Sequence, residues 1–107
     1  MLRLIIQNGT HSGEQLYLDQ GWVMLGRGPE SILRFVEPSV STRHAIISTE
    51  RNEFFVLDQD STNGTFLNGE RVQTAKLDHG DVIELGPFGP RLHVMIDSQD
   101  QIAGDPD

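Results

Sequence analysis

The chain has no cysteine. Disulfides and thiolate-held metals are therefore excluded, and nothing marks an oxidising compartment. No apolar run approaches the ~20 residues that a helix needs to span a bilayer. The opening stretch MLRLIIQNGTHSGEQ is too short and too polar for a secretory leader, and its LRLII reads better as a strand. A soluble, cytoplasmic protein with no membrane contact is the expectation. Lysine is almost missing too: of 8 basic residues, all but Lys76 are arginine. A basic surplus is lacking altogether. The formal charge of −8 argues against nucleic acid as a partner, because a phosphate backbone needs a basic face. Finally, no stretch of ten or more residues repeats its apolar positions with a helical period.

What is present is a succession of short apolar runs separated by turn signals. The length, 107 residues, bounds a single domain, and 36% apolar content is enough for one core. Strand candidates are Leu2–Gln7, Glu14–Asp19, Trp22–Leu25, Leu33–Phe35, Ala45–Ser48, Phe54–Asp58, Thr65–Leu67, Val72–Gln73, Val82–Leu85 and Leu92–Ile96. Branched and aromatic residues concentrate in them, as strands prefer. Many short strands at close spacing predict an all-β sandwich or barrel. Asn63-Gly64 and Asn68-Gly69 are tight-turn dipeptides, with only three residues between them. The end of the chain, 98–107, is acidic and nearly free of apolar residues, and is expected to be a disordered tail or the start of a linker. The folded domain is then expected over 1–97.

Three polar connections draw notice. Arg27 follows a strand in Gly-Arg-Gly-Pro; Ser41, Thr42, Arg43 and His44 follow Phe35; Thr62 and Asn63 precede Thr65. Taken singly, each is a solvated turn. A hydrolytic reading would make Ser41 a nucleophile, His44 its base, and Asp58 or Asp60 the orienting acid. No Gly-x-Ser-x-Gly elbow surrounds Ser41, which weakens that reading. Metal chemistry is weaker still. The four histidines share no ligand spacing, and DQDSTNG places its glycine one residue late for a calcium loop. GRGPES lacks the third glycine of a dinucleotide site. No metal and no cofactor are expected. Taken together, the three connections read as an anion cradle. Arginine grips phosphate or carboxylate with paired hydrogen bonds, and loops on a rigid scaffold carry function.

Gly26-Arg27, Ser41-x-x-His44, Thr62-Asn63-Gly64, Asn68-Gly69 and Gly80-Asp81 occur in that order. The sequence from about Leu4 to Ile96 thereby resembles the forkhead-associated (FHA) domain family. The resemblance implies a β-sandwich of about eleven short, mostly antiparallel strands with binding loops at one end. It also implies a non-catalytic module that docks a phosphothreonine-containing segment of a partner in Ser/Thr kinase signalling. That partner would be a kinase, a kinase substrate or another domain of the same protein. By the resemblance, Arg27 and Ser41 hold the phosphate, Thr62 lines the pocket and Asn63 holds the peptide backbone. Thr42 and Arg43 fall in the same loop. Arg43 stands one position later than the basic residue of many members, which ranks it below Arg27 and Ser41. Gly26, His44 and Gly64 are structural on this reading. Some members bind unphosphorylated partners, so a phosphate-independent interaction domain is the alternative.

Overall fold

The computed structural model describes residues 1–97. The expected tail, 98–107, lies outside the described residues. Eleven strands make up the described part: β1 (Leu2–Ile6), β2 (Gln15–Leu18), β3 (Trp22–Gly26), β4 (Ser31–Arg34), β5 (Ala45–Glu50), β6 (Glu53–Asp58), β7 (Thr65–Leu67), β8 (Glu70–Val72), β9 (Thr74–Leu77), β10 (Val82–Leu85) and β11 (Arg91–Ile96). They form a six-stranded sheet in the order β2-β1-β11-β10-β7-β8 and a five-stranded sheet in the order β4-β3-β5-β6-β9. Every pairing is antiparallel except β3 with β4. The all-β sandwich expected from the sequence is the observed fold. Among the described residues no helix is long and apolar enough to cross a membrane.

The strand period of two explains which residues are buried. In β1, Leu2, Leu4 and Ile6 point inward while Arg3 and Ile5 are only partly covered. They meet Ile83, Leu85, Leu92 and Val94 of the same sheet and Leu25, Ala45, Ile47, Val56 and Leu77 of the other in one cluster. Each such side chain contributes roughly 1.5–3 kcal/mol when removed from water. Two members of the cluster, Phe35 and Val40, come from the connection between β4 and β5. Their burial pulls that long loop onto the end of the sandwich.

The sequence reading differs from the structure at two places. Val72–Gln73 is not one strand: β8 ends at Val72, and β9 begins at Thr74. Strand β9 holds only Ala75 and Leu77 as inward residues, and it lies at a sheet edge with Lys76 salt-bridged to Glu53. Its Thr-Ala-Lys-Leu sequence lacks the branched and aromatic residues that mark a strand, so tertiary pairing with β6 decides its state. Similarly, β4 spans Ser31–Arg34, not Leu33–Phe35, because Phe35 turns into the core.

Strands β3, β6 and β10 finish, and β5 and β7 start, at the same end of the sandwich. The pairs Leu25↔Ala45, Ala45↔Asp58 and Leu85↔Thr65 fix that alignment. The opposite end is closed by Asn68 and Asp81. Asn68 and Gly69 both have positive φ (51° and 88°), as a tight two-residue hairpin turn requires. The Asn68 Nδ2 donates to Asp81 Oδ1 at 2.9 Å, and Asn68 Oδ1 accepts from the Val82 amide at 2.9 Å. Both turns therefore belong to the scaffold.

Replacing Ile83, which is 0% exposed, by alanine should cost about 2–5 kcal/mol in urea unfolding. Trp22→Ser, at 61% exposure on the outer surface, should change stability by about 0.5 kcal/mol or less. Equal effects from the two variants would contradict the packing described.

Candidate functional site

Three loops meet at the end where β3, β6 and β10 finish. The first follows β3 and carries Arg27. The second joins β4 to β5 and carries Ser41, Thr42 and Arg43. The third joins β6 to β7 and carries Thr62 and Asn63. The first two are zipped together by backbone hydrogen bonds: Arg27 N–H to Ser41 O and Gly28 N–H to Thr42 O, both 3.0 Å. The approach is so close that a Cβ on Gly26 would collide with the Thr42 carbonyl, and one on Gly28 would sit 2.7 Å from Thr42 Cγ2. Glycine is the residue that permits this contact.

His44 joins the second loop to the third. Its Nδ1 accepts from the Ser41 amide at 3.0 Å, so that nitrogen carries no proton. Its Nε2 lies 2.8 Å from the Gly64 carbonyl and therefore donates. The ring is fully buried, and burial lowers its pKa below the ordinary 6.5 despite the Gly64 carbonyl and the Asp58 charge, which raise it. Both ring nitrogens face backbone groups, and neither is bonded to the Ser41 hydroxyl. The serine–base pairing of the hydrolytic reading is thus not formed.

The third loop is knotted by Asp58. Its carboxylate accepts from the Ser61 amide and hydroxyl and from the Thr65 hydroxyl. Ser61 Oγ in turn accepts from the Gly64 amide at 3.0 Å. Desolvation pushes the Asp58 carboxyl up, but the hydrogen bonds from Ser61 and Thr65 outweigh it and leave the pKa lowered. Gly64 has φ +89°, and a Cβ there would sit 2.6 Å from Arg71 Nε. The aspartate that the sequence offers as a catalytic or calcium-loop acid serves here as a turn anchor.

With the loops so held, Arg27, Ser41, Thr42, Arg43, Thr62 and Asn63 all line one open cleft of about 420 Å³. Arg27 Nε donates to the Val40 carbonyl, which aims the guanidinium while its two terminal nitrogens have no partner among the described residues. Ser41 Oγ accepts from the Thr62 amide at 3.0 Å and keeps its own proton free to donate. Asn63 Nδ2 is tied to the Ser39 carbonyl at 3.0 Å. Arg43 is otherwise engaged: its Nη1 pairs with Glu30 at 3.0 Å.

Sequence reasoning did not single out Glu30, nor Pro38 and Val40, which complete the lining with Asp60, weighed from the sequence only as an acid for catalysis or calcium. Glu30 and Arg43 are thirteen positions apart with no local pattern linking them, so only the zipped loops reveal the pair. A second, larger hollow of about 590 Å³ lies at the other end of the five-stranded sheet, between the loops around Gly21 and Asn52. Its one arginine, Arg51, shares it with Asp19 and Asp97, and none of the six residues reaches it.

The fold and the cleft define a β-sandwich binding module. The FHA domain sequence profile matches residues 23–86, and the chain belongs to the FHA domain family. The glycogen accumulation regulator GarA of Mycobacterium tuberculosis is 40% identical over 85 residues, which cover 79% of this chain and 52% of that protein. An oxoglutarate dehydrogenase inhibitor of Corynebacterium glutamicum is 36% identical, over 79% of this chain and 59% of its own length. The chain thus spans about half the length of the curated relatives it matches. Among solved structures, an FHA domain studied for phosphothreonine-dependent interactions superposes with a TM-score of 0.81 at 32% identity, covering 90% of this chain and 96% of that one. The FHA domain of FhaA, crystallised in complex with the intracellular domain of another protein, gives 0.79 at 33% identity, over 88% and 99%.

The two histidines at this end of the molecule should titrate in opposite directions. His11 is raised above 6.5, first by its hydrogen bond to Glu14 and then by the Arg34 carbonyl; His44 is lowered by burial. Below pH about 6.5 the unfolded chain protonates both. His44 then withdraws stability as pH falls, because the folded state resists its proton. His11 adds stability in acid and loses that contribution as pH rises through its folded pKa. Imidazole NMR should place the His44 midpoint below 6.5 and the His11 midpoint above it, with His44 in the Nε2–H form; the reverse order would contradict the hydrogen bonding given above.

Proposed function

We propose that the cleft binds phosphothreonine in a short, extended segment of a partner protein. The observation that carries this reading is the convergence of Arg27, with its terminal nitrogens unpaired among the described residues, and Ser41, with a hydroxyl proton to give, in one cleft. A phosphothreonine brings roughly −1.5 to −2 charge and three strong acceptor oxygens. Arg27 holds two of them through its guanidinium, and Ser41 donates to a third. Thr62 lines the same wall. Asn63 offers its Oδ1 to a backbone amide of the segment, since its Nδ2 is held by Ser39. Arg43 joins the phosphate or an acidic neighbour only by leaving Glu30. Hydrogen bonds to a charged group contribute about 1.5–3 kcal/mol each, so two or three, less the ordering of the segment, give roughly micromolar affinity.

The module does no chemistry of its own on this reading. His44 is scaffolding, and binding needs neither metal nor cofactor. The domain occupies residues 1–97, acts in the cytoplasm, and meets a kinase, a kinase substrate or another part of its own full-length protein. The phosphothreonine-dependent interactions of the similar solved domain support this assignment.

Arg27→Ala and Ser41→Ala should each weaken binding to a phosphothreonine peptide library by tenfold or more, and unphosphorylated copies should not bind. Fluorescence anisotropy measures both. Undiminished binding by Arg27→Ala, or equal binding of the unphosphorylated set, would instead establish phosphate-independent docking. Glu30→Gln should tighten phosphopeptide binding about two- to fivefold by freeing Arg43 and removing a negative charge at the rim, as isothermal calorimetry would read. Weaker binding by that variant would show that Arg43 acts only while paired.

A further inference from the structure

Beside the cleft, the turn between β10 and β11 holds an aromatic ring in water. Phe88 is 95% exposed, more than any other large apolar side chain among the described residues. The turn is Gly86-Pro87-Phe88-Gly89, closed by a hydrogen bond from the Gly89 amide to the Gly86 carbonyl at 2.9 Å. Proline at the second position and a positive φ at the third define a type II turn. The third position of that turn demands glycine or asparagine, because a Cβ there is strained. Here it holds phenylalanine, at φ 62°. Neither packing nor turn chemistry explains the residue: the ring is not in the core, and glycine would serve the turn better.

The turn is not loose. Leu85 N–H bonds to the Pro90 carbonyl at 3.0 Å, Gly86 N–H to the Gly64 carbonyl at 2.9 Å, and Asn8 Nδ2 to the Gly89 carbonyl at 3.2 Å. Gly89 and Pro90 are buried. A Cβ on Gly86 would touch Ser39 Cβ at 3.1 Å and Asn63 Cβ at 3.3 Å. The turn therefore abuts the two residues that form the Asn63 side of the cleft, and Gly64 links it to the same carbonyl that His44 grips. Along the second loop Arg27 bonds to Val40 and Asn63 to Ser39, and Gly86 packs against Ser39, so the turn lies on the Asn63 side of the cleft, within reach of a segment that continues past Asn63. A strained backbone, anchored by its neighbours and carrying an exposed aromatic, is a pattern found at ligand clamps.

We infer that Phe88 is a specificity-determining residue that packs against an apolar side chain of the phosphorylated segment on the Asn63 side of the phosphothreonine. This rests on the phosphothreonine reading of the cleft. A phenylalanine on an anchored turn has only two side-chain torsions to restrict on binding, so its large contact area comes at a small ordering cost.

The test is a positional phosphothreonine peptide array, in which each flanking position in turn carries leucine, alanine or aspartate, probed with the parent chain, Phe88→Ala and Phe88→Gly. The parent should favour leucine at one flanking position by roughly five- to tenfold, and both variants should lose that preference while keeping phosphate dependence. Phe88→Gly should also melt about 2–5 °C higher, since the strain is relieved while the turn remains. Unchanged leucine preference in both variants, or no flanking preference in a phosphate-dependent parent, overturns the inference and leaves the phosphothreonine reading intact. A parent that ignores the phosphate removes that reading and this inference with it.

Discussion

A buried imidazole holds this molecule's cleft together. His44 takes a hydrogen bond from the Ser41 amide on one side and gives one to the Gly64 carbonyl on the other. Through those two contacts it fixes the distance between loops that are some twenty residues apart in the chain. The Ser41 hydroxyl reaches the Thr62 amide because the loop behind it is already set. The same Gly64 carbonyl receives the Gly86 amide, so the turn bearing Phe88 is aligned by the same connection. A neutral ring is essential to this arrangement. A protonated imidazole has two donors and no acceptor, and it would oppose the Ser41 amide. Burial disfavours that charged form, so the fold protects the protonation state on which its cleft depends.

A second constraint concerns charge. The chain is strongly acidic, and two of its carboxylates, Glu30 and Asp60, stand at the cleft. A dianion approaching the body meets repulsion at long range. On the proposed reading, attraction falls to Arg27, whose terminal nitrogens have no partner among the described residues. Recognition on that reading is local, set by a few hydrogen bonds at contact and not by a broad basic field. The Arg43–Glu30 pair adds a competitor: the second arginine of the cleft is occupied until something displaces its glutamate.

Much of this was legible in the sequence, for definite reasons. The fold class followed from short apolar runs rich in branched and aromatic residues and from the turn signals between them, because both are local properties. The three polar connections could be listed because each interrupts such a run. Their convergence on one cleft depends on register, such as Leu25 opposite Ala45 and Ala45 opposite Asp58, which no single stretch displays. Strand β9 was missed because Thr-Ala-Lys-Leu has no strand preference of its own and forms by pairing with β6. Asp58 stood out in the sequence as an acid, but its bond from Thr65, seven residues on, did not. The engagement of Arg43 by Glu30 and the left-handed conformation of Phe88 are tertiary facts, invisible to composition and spacing.

Convergence of the three loops on one phosphate is the claim on which the functional reading stands. Titration of the isotopically labelled chain with a phosphothreonine peptide, followed through backbone amide NMR shifts, tests it most directly. The expected result is saturable movement of the amides of Arg27, Ser41, Thr42, Thr62 and Asn63, fitting one binding constant. Movement centred on Gly21, Arg51 and Asn52, around the larger hollow at the opposite end, with the cleft amides unmoved, would contradict it.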